Sequence, residues 1–322
     1  MNERSIGLEN IYDLIIIGSG PAGLTAGIYA SRAQLNTIII EKEEFSGGQV
    51  VYTERIDNYP GIPGVSGMEL AERFRSHCEQ MGAAFVAGEV VRVNLKESKK
   101  IVELEDGSTY YARAVVIATG AKSRMLGVKG EQEFAGMGVS YCATCDGAFF
   151  QNQTVAVIGG GDVAVEDALY LSKICKKVYL IHRRNELRAT KILCSQVKKC
   201  ENVEILWESK VNEIVGNEEV EKIVITSTTH EESKEVEVQG VFVAIGNVPL
   251  SSLYEGQIDM DESGWIIADE SCKTSQKGVF AVGDIRKKPL KQIITAASDG
   301  ANSITAVEQY IFEINETENV VI

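Results

Sequence analysis

Residues 11–42 read IYDLIIIGSGPAGLTAGIYASRAQLNTIIIEK. An apolar run stops at glycines, a stretch rich in alanine and leucine follows, and a second apolar run closes the segment. That order predicts a strand, a tight turn, a helix and a second strand, the βαβ unit of a parallel sheet. Gly18, Gly20 and Gly23 fit G-x-G-x-x-G. In that pattern the first glycine makes the turn, the second lets a pyrophosphate approach the backbone, and the third lets helix pack on strand. The helix N-terminus then faces the phosphates with its free N–H groups. Glu41 ends the second strand about 20 residues beyond Gly20, where a carboxylate accepts hydrogen bonds from an adenosine ribose.

The pattern returns at residues 154–184 as TVAVIGGGDVAVEDALYLSKICKKVYLIHRR, with Gly159, Gly161 and Ala164 at the fingerprint positions. One such motif is a weak signal. Two, each set between a strand and a helix, predict two dinucleotide sites. They differ at the end of the second strand, where Glu41 of the first is replaced by His182, Arg183 and Arg184, with Arg188 one helical turn further. Guanidinium groups suit a 2′-phosphate as a carboxylate suits a free 2′-hydroxyl, so the second site is expected to prefer NADPH to NADH. The competing reading is a solvated basic turn.

Each repeat closes on a similar apolar strand, ARAVVIATGA at 112–121 and VQGVFVAIGNVP at 238–249. After the second exit, KGVFAVGDI at 277–285 reads as a strand with nothing of its own to pair with. The simplest topology returns it to the first domain. The fold class expected is α/β, with two Rossmann-like nucleotide-binding domains, the second, NADPH-binding domain (121–250) inserted into a first domain made of 1–120 and 251–322. Hinges are expected at the two connections, near Gly120–Ala121 and Asn247–Leu250.

The chain has 322 residues, 44% hydrophobic and 24% charged, with 32 Lys+Arg against 46 Asp+Glu and a net charge of −14. Such an acidic chain repels phosphate backbones and anionic lipid surfaces, so neither nucleic acid nor membrane is an expected partner. The first residues carry no apolar signal core and no run reaches membrane-spanning length, so a cytoplasmic protein is expected. Of seven cysteines, Cys142 and Cys145 alone form C-x-x-C. One pair cannot complete a four-ligand zinc site, and His77, His182 and His230 sit at no ligand spacing beside it, so a redox pair is favoured over a metal site.

Several segments together, GSGPAG (18–23), SGGQV (46–50), DNYPGIPG (57–64), CATCDG (142–147), HRRNELRA (182–189), GVFAVGDI (278–285) and KQIITAASDG (291–300), resemble the low-molecular-weight, bacterial-type thioredoxin reductases along nearly the whole chain. CATCDG followed by HRRNELRA is the specific combination. The resemblance implies a homodimer with FAD and NADPH in each chain, reducing thioredoxin. It carries Gly18, Gly20, Gly23, Glu41, Gln49, Asn58, Asp284 and Gln292 onto FAD, and Gly159, Gly161, His182, Arg183, Arg184 and Arg188 onto NADPH. By residue type alone, Gln49 and Asn58 read as turn residues.

The same resemblance implies that Cys145 faces the flavin and that Cys142 attacks the protein disulfide. Asp146 would be the acid for a leaving thiolate, or else an acceptor for backbone amides in the turn before Gly147. Three places depart from the family pattern: Lys291 stands where arginine is common, Ser298 where glycine is, and Asp162–Val163 where an Asn/Asp–Thr/Ser pair is. The rival readings are a ferredoxin-dependent or peroxiredoxin-system reductase, a dithiol oxidase using O₂, and a non-enzymatic redox sensor. The arginine cluster argues against the ferredoxin-dependent reductase and the dithiol oxidase.

Overall fold

The computed structural model describes residues 11–53, 55–230 and 232–320, and the side chains of 318–320 fall outside that description, as do the expectations for the first ten residues. Contacts divide the chain into two units: 11–52, 65–122 and 248–320 form the first, 53–64 and 123–247 the second. The segment 53–64 thus groups with the second unit although it precedes the first exit strand in sequence.

In the first unit the isoleucine run forms β1 (Ile11–Ile17), followed by α1 (Pro21–Arg32) and β2 (Thr37–Glu41). Next come α2 (Gly67–Gln80), β3 (Ala84–Ala87), β4 (Val90–Asn94), β5 (Lys100–Leu104) and β6 (Thr109–Ile117). Strands β3, β2, β1 and β6 lie side by side in parallel, with Ile15 opposite Ile38 and Val115. The first half of β6 also pairs with β5, and β5 with β4, in an antiparallel meander. Because both faces of the parallel part are covered, Leu14–Ile17 of β1 is an apolar, buried run with no alternation. Leu14 and Ile16 pack with Leu24 and Ala26 of α1 on one face, and Ile15 and Ile17 with Val93 and Val102 of the meander on the other.

The chain leaves through β7 (Ala121–Ser123) and repeats the plan in the second unit with β8 (Val139–Ser140), α3 (Ala143–Asp146), β9 (Thr154–Gly159), α4 (Asp162–Leu171) and β10 (Lys177–Ile181). There follow α5 (Lys191–Val197), β11 (Val203–Leu206), β12 (Ser209–Gly216), β13 (Val220–Ser227), β14 (Ser233–Glu237) and β15 (Gly240–Ala244). The parallel order is β11-β10-β9-β15-β8, and β12-β13-β14 form the antiparallel meander. Val155 and Val157 face Val165 and Leu171 of α4, while Ala156 and Ile158 face Ile214 and Ile223 of the meander.

Return is through β16 (Asn247–Pro249), which pairs with β7. The pairing is continued by Leu250 N donating to Gly120 O at 3.0 Å and Arg124 N to Gly246 O at 2.9 Å. Gly120 has φ +67°, a conformation an L side chain resists. The last strand, β17 (Val279–Ala281), pairs with β6, and α6 (Ile293–Val320) ends the chain. The fifth parallel strand therefore arrives last in the first unit and first, as β8, in the second. Gly300 lets α6 meet α1, since a Cβ there would lie 2.3 Å from Ala22 O. No helix among the described residues is long and apolar enough to cross a membrane.

Candidate active site

The three glycines of the first turn differ in their surroundings. Gly18 has φ +103° and a Cβ on it would lie 2.6 Å from Ala118 O; one on Gly23 would lie 2.0 Å from Gly18 O. At Gly20 the nearest atom to such a Cβ is 4.0 Å away, so that side of the turn is open. Gly20 is also the N-cap of α1, which has no side-chain cap, and its first-turn N–H groups are available to an anion. Glu41 Oε2 accepts from both Ser19 N and Ser19 Oγ at 2.7 Å, and Oε1 from Lys42 N and Glu43 N. The carboxylate is thereby drawn up to the turn itself. Ser19, fully buried, was invisible as a functional residue because nothing in the motif requires it.

Asp284 stands just past β17, after Gly283, and its Oδ1 is buried with no hydrogen-bond partner among the described residues. Burial pushes its pKa up. An orphaned buried carboxyl oxygen is costly, and a ligand hydroxyl would relieve it. Gly283 N is held by Asp299 Oδ2 at 2.9 Å. Lys291 lies over the Trp265 ring, 2.7 Å from its centroid, and burial lowers its pKa to about 8. Gln292 N bonds Thr295 Oγ1 at the start of α6, and Gln49 Nε2 bonds Ala121 O. Asn58 lies in 53–64, grouped with the second unit, whereas the other residues expected at the FAD belong to the first.

In the second unit a Cβ on Gly159 would lie 2.4 Å from Ala244 O, and one on Gly160 would lie 2.2 Å from His182 Nδ1. A Cβ on Gly161, the uncapped N-cap of α4, would meet nothing within 4 Å. His182 is buried, and burial lowers its pKa, so its ring is a neutral packing piece against the turn at pH 7. Arg183, Arg184 and Arg188 are exposed and make no ion pair among the described residues. Arg188 N donates to Gly160 O at 2.7 Å.

Between β8 and β9 of that same unit Cys142 and Cys145 form a disulfide, with Cα atoms 5.3 Å apart. Cys142 caps the single helical turn α3, and Cys145 N and Asp146 N both donate to Cys142 O. Ser140 Oγ donates to Asp146 Oδ2 at 2.6 Å and accepts from Cys142 N at 3.0 Å. This serine, missed in the sequence, joins the acid to the backbone of one cysteine. Tyr141 OH donates to Glu131 Oε1 at 3.0 Å, and Glu131, 1% exposed, also accepts from Leu126 N and Gly127 N. A vicinal cysteine pair held this way is poised for thiol–disulfide exchange. The other five cysteines are unpaired, and burial raises the pKa of Cys78, Cys175 and Cys272. Among the described residues no cluster suits a metal ion.

Residues 12–300 match the family described as pyridine nucleotide-disulphide oxidoreductase. The chain belongs to that family. Curated relatives include a thioredoxin reductase of Peptoclostridium acidaminophilum, 45% identical over 311 residues, spanning 94% of this chain and 98% of the relative. Another, from Listeria innocua, is 44% identical and covers 96% of each chain. Among solved structures, the thioredoxin reductase of Streptococcus pyogenes superposes with a TM-score of 0.90 at 43% identity, covering 95% of this chain and all of that one.

For a pyridine nucleotide-disulphide oxidoreductase the two glycine turns and the dithiol are the expected equipment. In this oxidoreductase the cysteine pair sits on the unit that carries the arginine-rich turn, and the orphaned Asp284 on the other.

Proposed function

We propose that the chain is an NADPH-dependent, FAD-containing thioredoxin reductase that works as a homodimer in the cytoplasm, with Cys142 and Cys145 as its redox pair. The observation that carries this reading is the Cys142–Cys145 disulfide, on the same unit as a nucleotide turn flanked by three arginines that have no carboxylate partner among the described residues. The names of the close, nearly full-length relatives support the substrate.

FAD fits the residues of the first unit: an uncapped helix N-terminus beside an open Gly20 for pyrophosphate, and a partnerless Asp284 oxygen for a ribityl hydroxyl. When bound, it supplies the two-electron relay between the pyridine nucleotide and the disulfide. In the second unit Gly161 leaves room for the dinucleotide phosphates, and Arg183, Arg184 and Arg188 bind the 2′-phosphate.

Once Cys142 and Cys145 are reduced, the Cys142 thiolate attacks one sulfur of the thioredoxin disulfide, forming a mixed disulfide and releasing the other sulfur as thiolate. Asp146 protonates that leaving thiolate, with Ser140 Oγ holding the acid in place. The Cys145 thiolate then attacks Cys142 Sγ, which restores the internal disulfide and frees the second thioredoxin sulfur. Two electrons leave the dithiol in each cycle.

The test is a steady-state assay with thioredoxin, NADPH and NADH on the parent and on a variant with Arg183 and Arg184 both changed to Gln. Each lost charged hydrogen bond matters by about 1.5–3 kcal/mol. The variant is expected to raise the KM for NADPH far more than that for NADH. Equal losses for both nucleotides would remove the NADPH assignment.

A further inference from the structure

The segment between β10 and α5, residues 182–190, carries all three arginines of the basic turn and has no regular secondary structure. Three contacts tie it to the glycine turn. The His182 ring fills the space a Cβ on Gly160 would need, and Arg188 N donates to Gly160 O at 2.7 Å. Third, Thr190 N donates to Asp162 Oδ1, also at 2.7 Å. Of the three, only the last is a hydrogen bond accepted by a side chain. Asp162 is the first residue of α4.

Three like charges on an irregular segment repel one another and cost conformational entropy to order. A tether at each end of the Arg188–Thr190 stretch removes that cost before the nucleotide arrives. We propose that Asp162 is a positioning residue for 2′-phosphate selection, holding Thr190 and with it the arginine segment against the N-terminus of α4. The proposal rests on the NADPH reading above and deepens it. What the tether needs is an acceptor oxygen, and a charge is superfluous. A carboxylate beside a turn built to receive phosphates even opposes them, so asparagine is expected to serve at least as well.

The experiment titrates the FAD-loaded protein with adenosine 2′,5′-bisphosphate and with 5′-AMP by calorimetry, and measures KM for NADPH and NADH. Asp162→Ala is expected to weaken the 2′,5′-bisphosphate roughly tenfold, as one lost tether, while binding of 5′-AMP stays within about twofold. Asp162→Asn is expected to bind the bisphosphate as tightly as the parent or more tightly. Thr190→Pro tests the same bond from the donor side. Thr190 has φ −56°, already that of proline, so the substitution removes the N–H with little change of backbone. It is expected to match Asp162→Ala, with the double variant no worse than either single one.

Equal weakening of both probes in Asp162→Ala would mean general damage to the turn and overturn the proposal. So would a loss in Asp162→Asn as large as in Asp162→Ala, or an unaffected Thr190→Pro. A parent that bound the bisphosphate no better than 5′-AMP would overturn the NADPH reading itself, and this inference with it.

Discussion

Arg286 and Asp299 form a buried two-bond pair, Nε to Oδ2 at 2.8 Å and Nη2 to Oδ1 at 3.0 Å. Lys288 Nζ adds a third bond to Oδ2 at 2.7 Å, and Gly283 N a fourth. Burial pushes the Asp299 carboxyl up, but the hydrogen bonds from Arg286 and Lys288 outweigh it and hold the pKa below the ordinary carboxylate range. Asp299 is thus the anchor for the turn that presents Asp284.

Asp299→Asn leaves two buried cations facing a neutral amide, and removing one partner of a buried pair costs about 3–5 kcal/mol. A fall in the urea midpoint and faster release of flavin are expected. In the parent the pair's contribution is present above pH 4 and is lost as pH falls through the depressed folded pKa. An unchanged urea midpoint in the variant would contradict this role.

Glycines of one motif are expected to fail in different ways. Gly23→Ala puts a Cβ 2.0 Å from Gly18 O and should destabilise the first unit. Gly161→Ala meets no protein atom, and with φ −90° its backbone suits alanine. It should keep its melting temperature and raise the KM for the pyridine nucleotide. The same stability loss in both would show that Gly161 is a packing glycine.

Cys142→Ser and Cys145→Ser should each abolish disulfide reduction while anaerobic reduction of the flavin by the pyridine nucleotide persists. Exchange requires both sulfurs, whereas hydride transfer precedes them. Flavin absorbance and thioredoxin turnover measure the two halves separately. Near-normal turnover in either single variant would rule out the relay.

Asp167 on α4 is pushed from 3.8 up to about 7, by burial first and by Glu166 second. A carboxyl whose folded pKa is raised opposes folding once the unfolded chain ionises, from pH 4 upward, and fully so above pH 7. Asp167→Asn should therefore stabilise little at pH 4.5 and more at pH 8, by at most about 4 kcal/mol. Urea midpoints at the two pH values decide it, and an equal difference at both would refute the buried-carboxyl account.

The two nucleotide turns could be read from the chain because each is local. Their glycine spacing falls within one βαβ unit, as where Gly23 packs on Gly18 and Gly159 on Ala164, although Gly18 and Gly159 also press on Ala118 and Ala244 from later strands. The cysteine pair is local for the same reason, its sulfurs lying at either end of one helical turn. Residues whose roles depend on distant partners left no such trace. Asp299 reaches Gly283 only because α6 packs beside the end of β17, and the grouping of 53–64 with the second unit follows no periodicity.

Sequence by itself determined the repeated α/β plan, the glycine turns and the dithiol, since apolar runs, helix periodicity and short spacings act over a few residues. Tertiary structure alone decided what surrounds them: Asp299 beneath the Asp284 turn, Glu41 drawn onto Ser19, and Asp162 holding Thr190. Those bonds join residues that lie 16, 22 and 28 positions apart. Hydrogen bonds over such separations exist only after sheets and helices have packed, and no pattern in the unfolded order of residues encodes which donor will meet which acceptor.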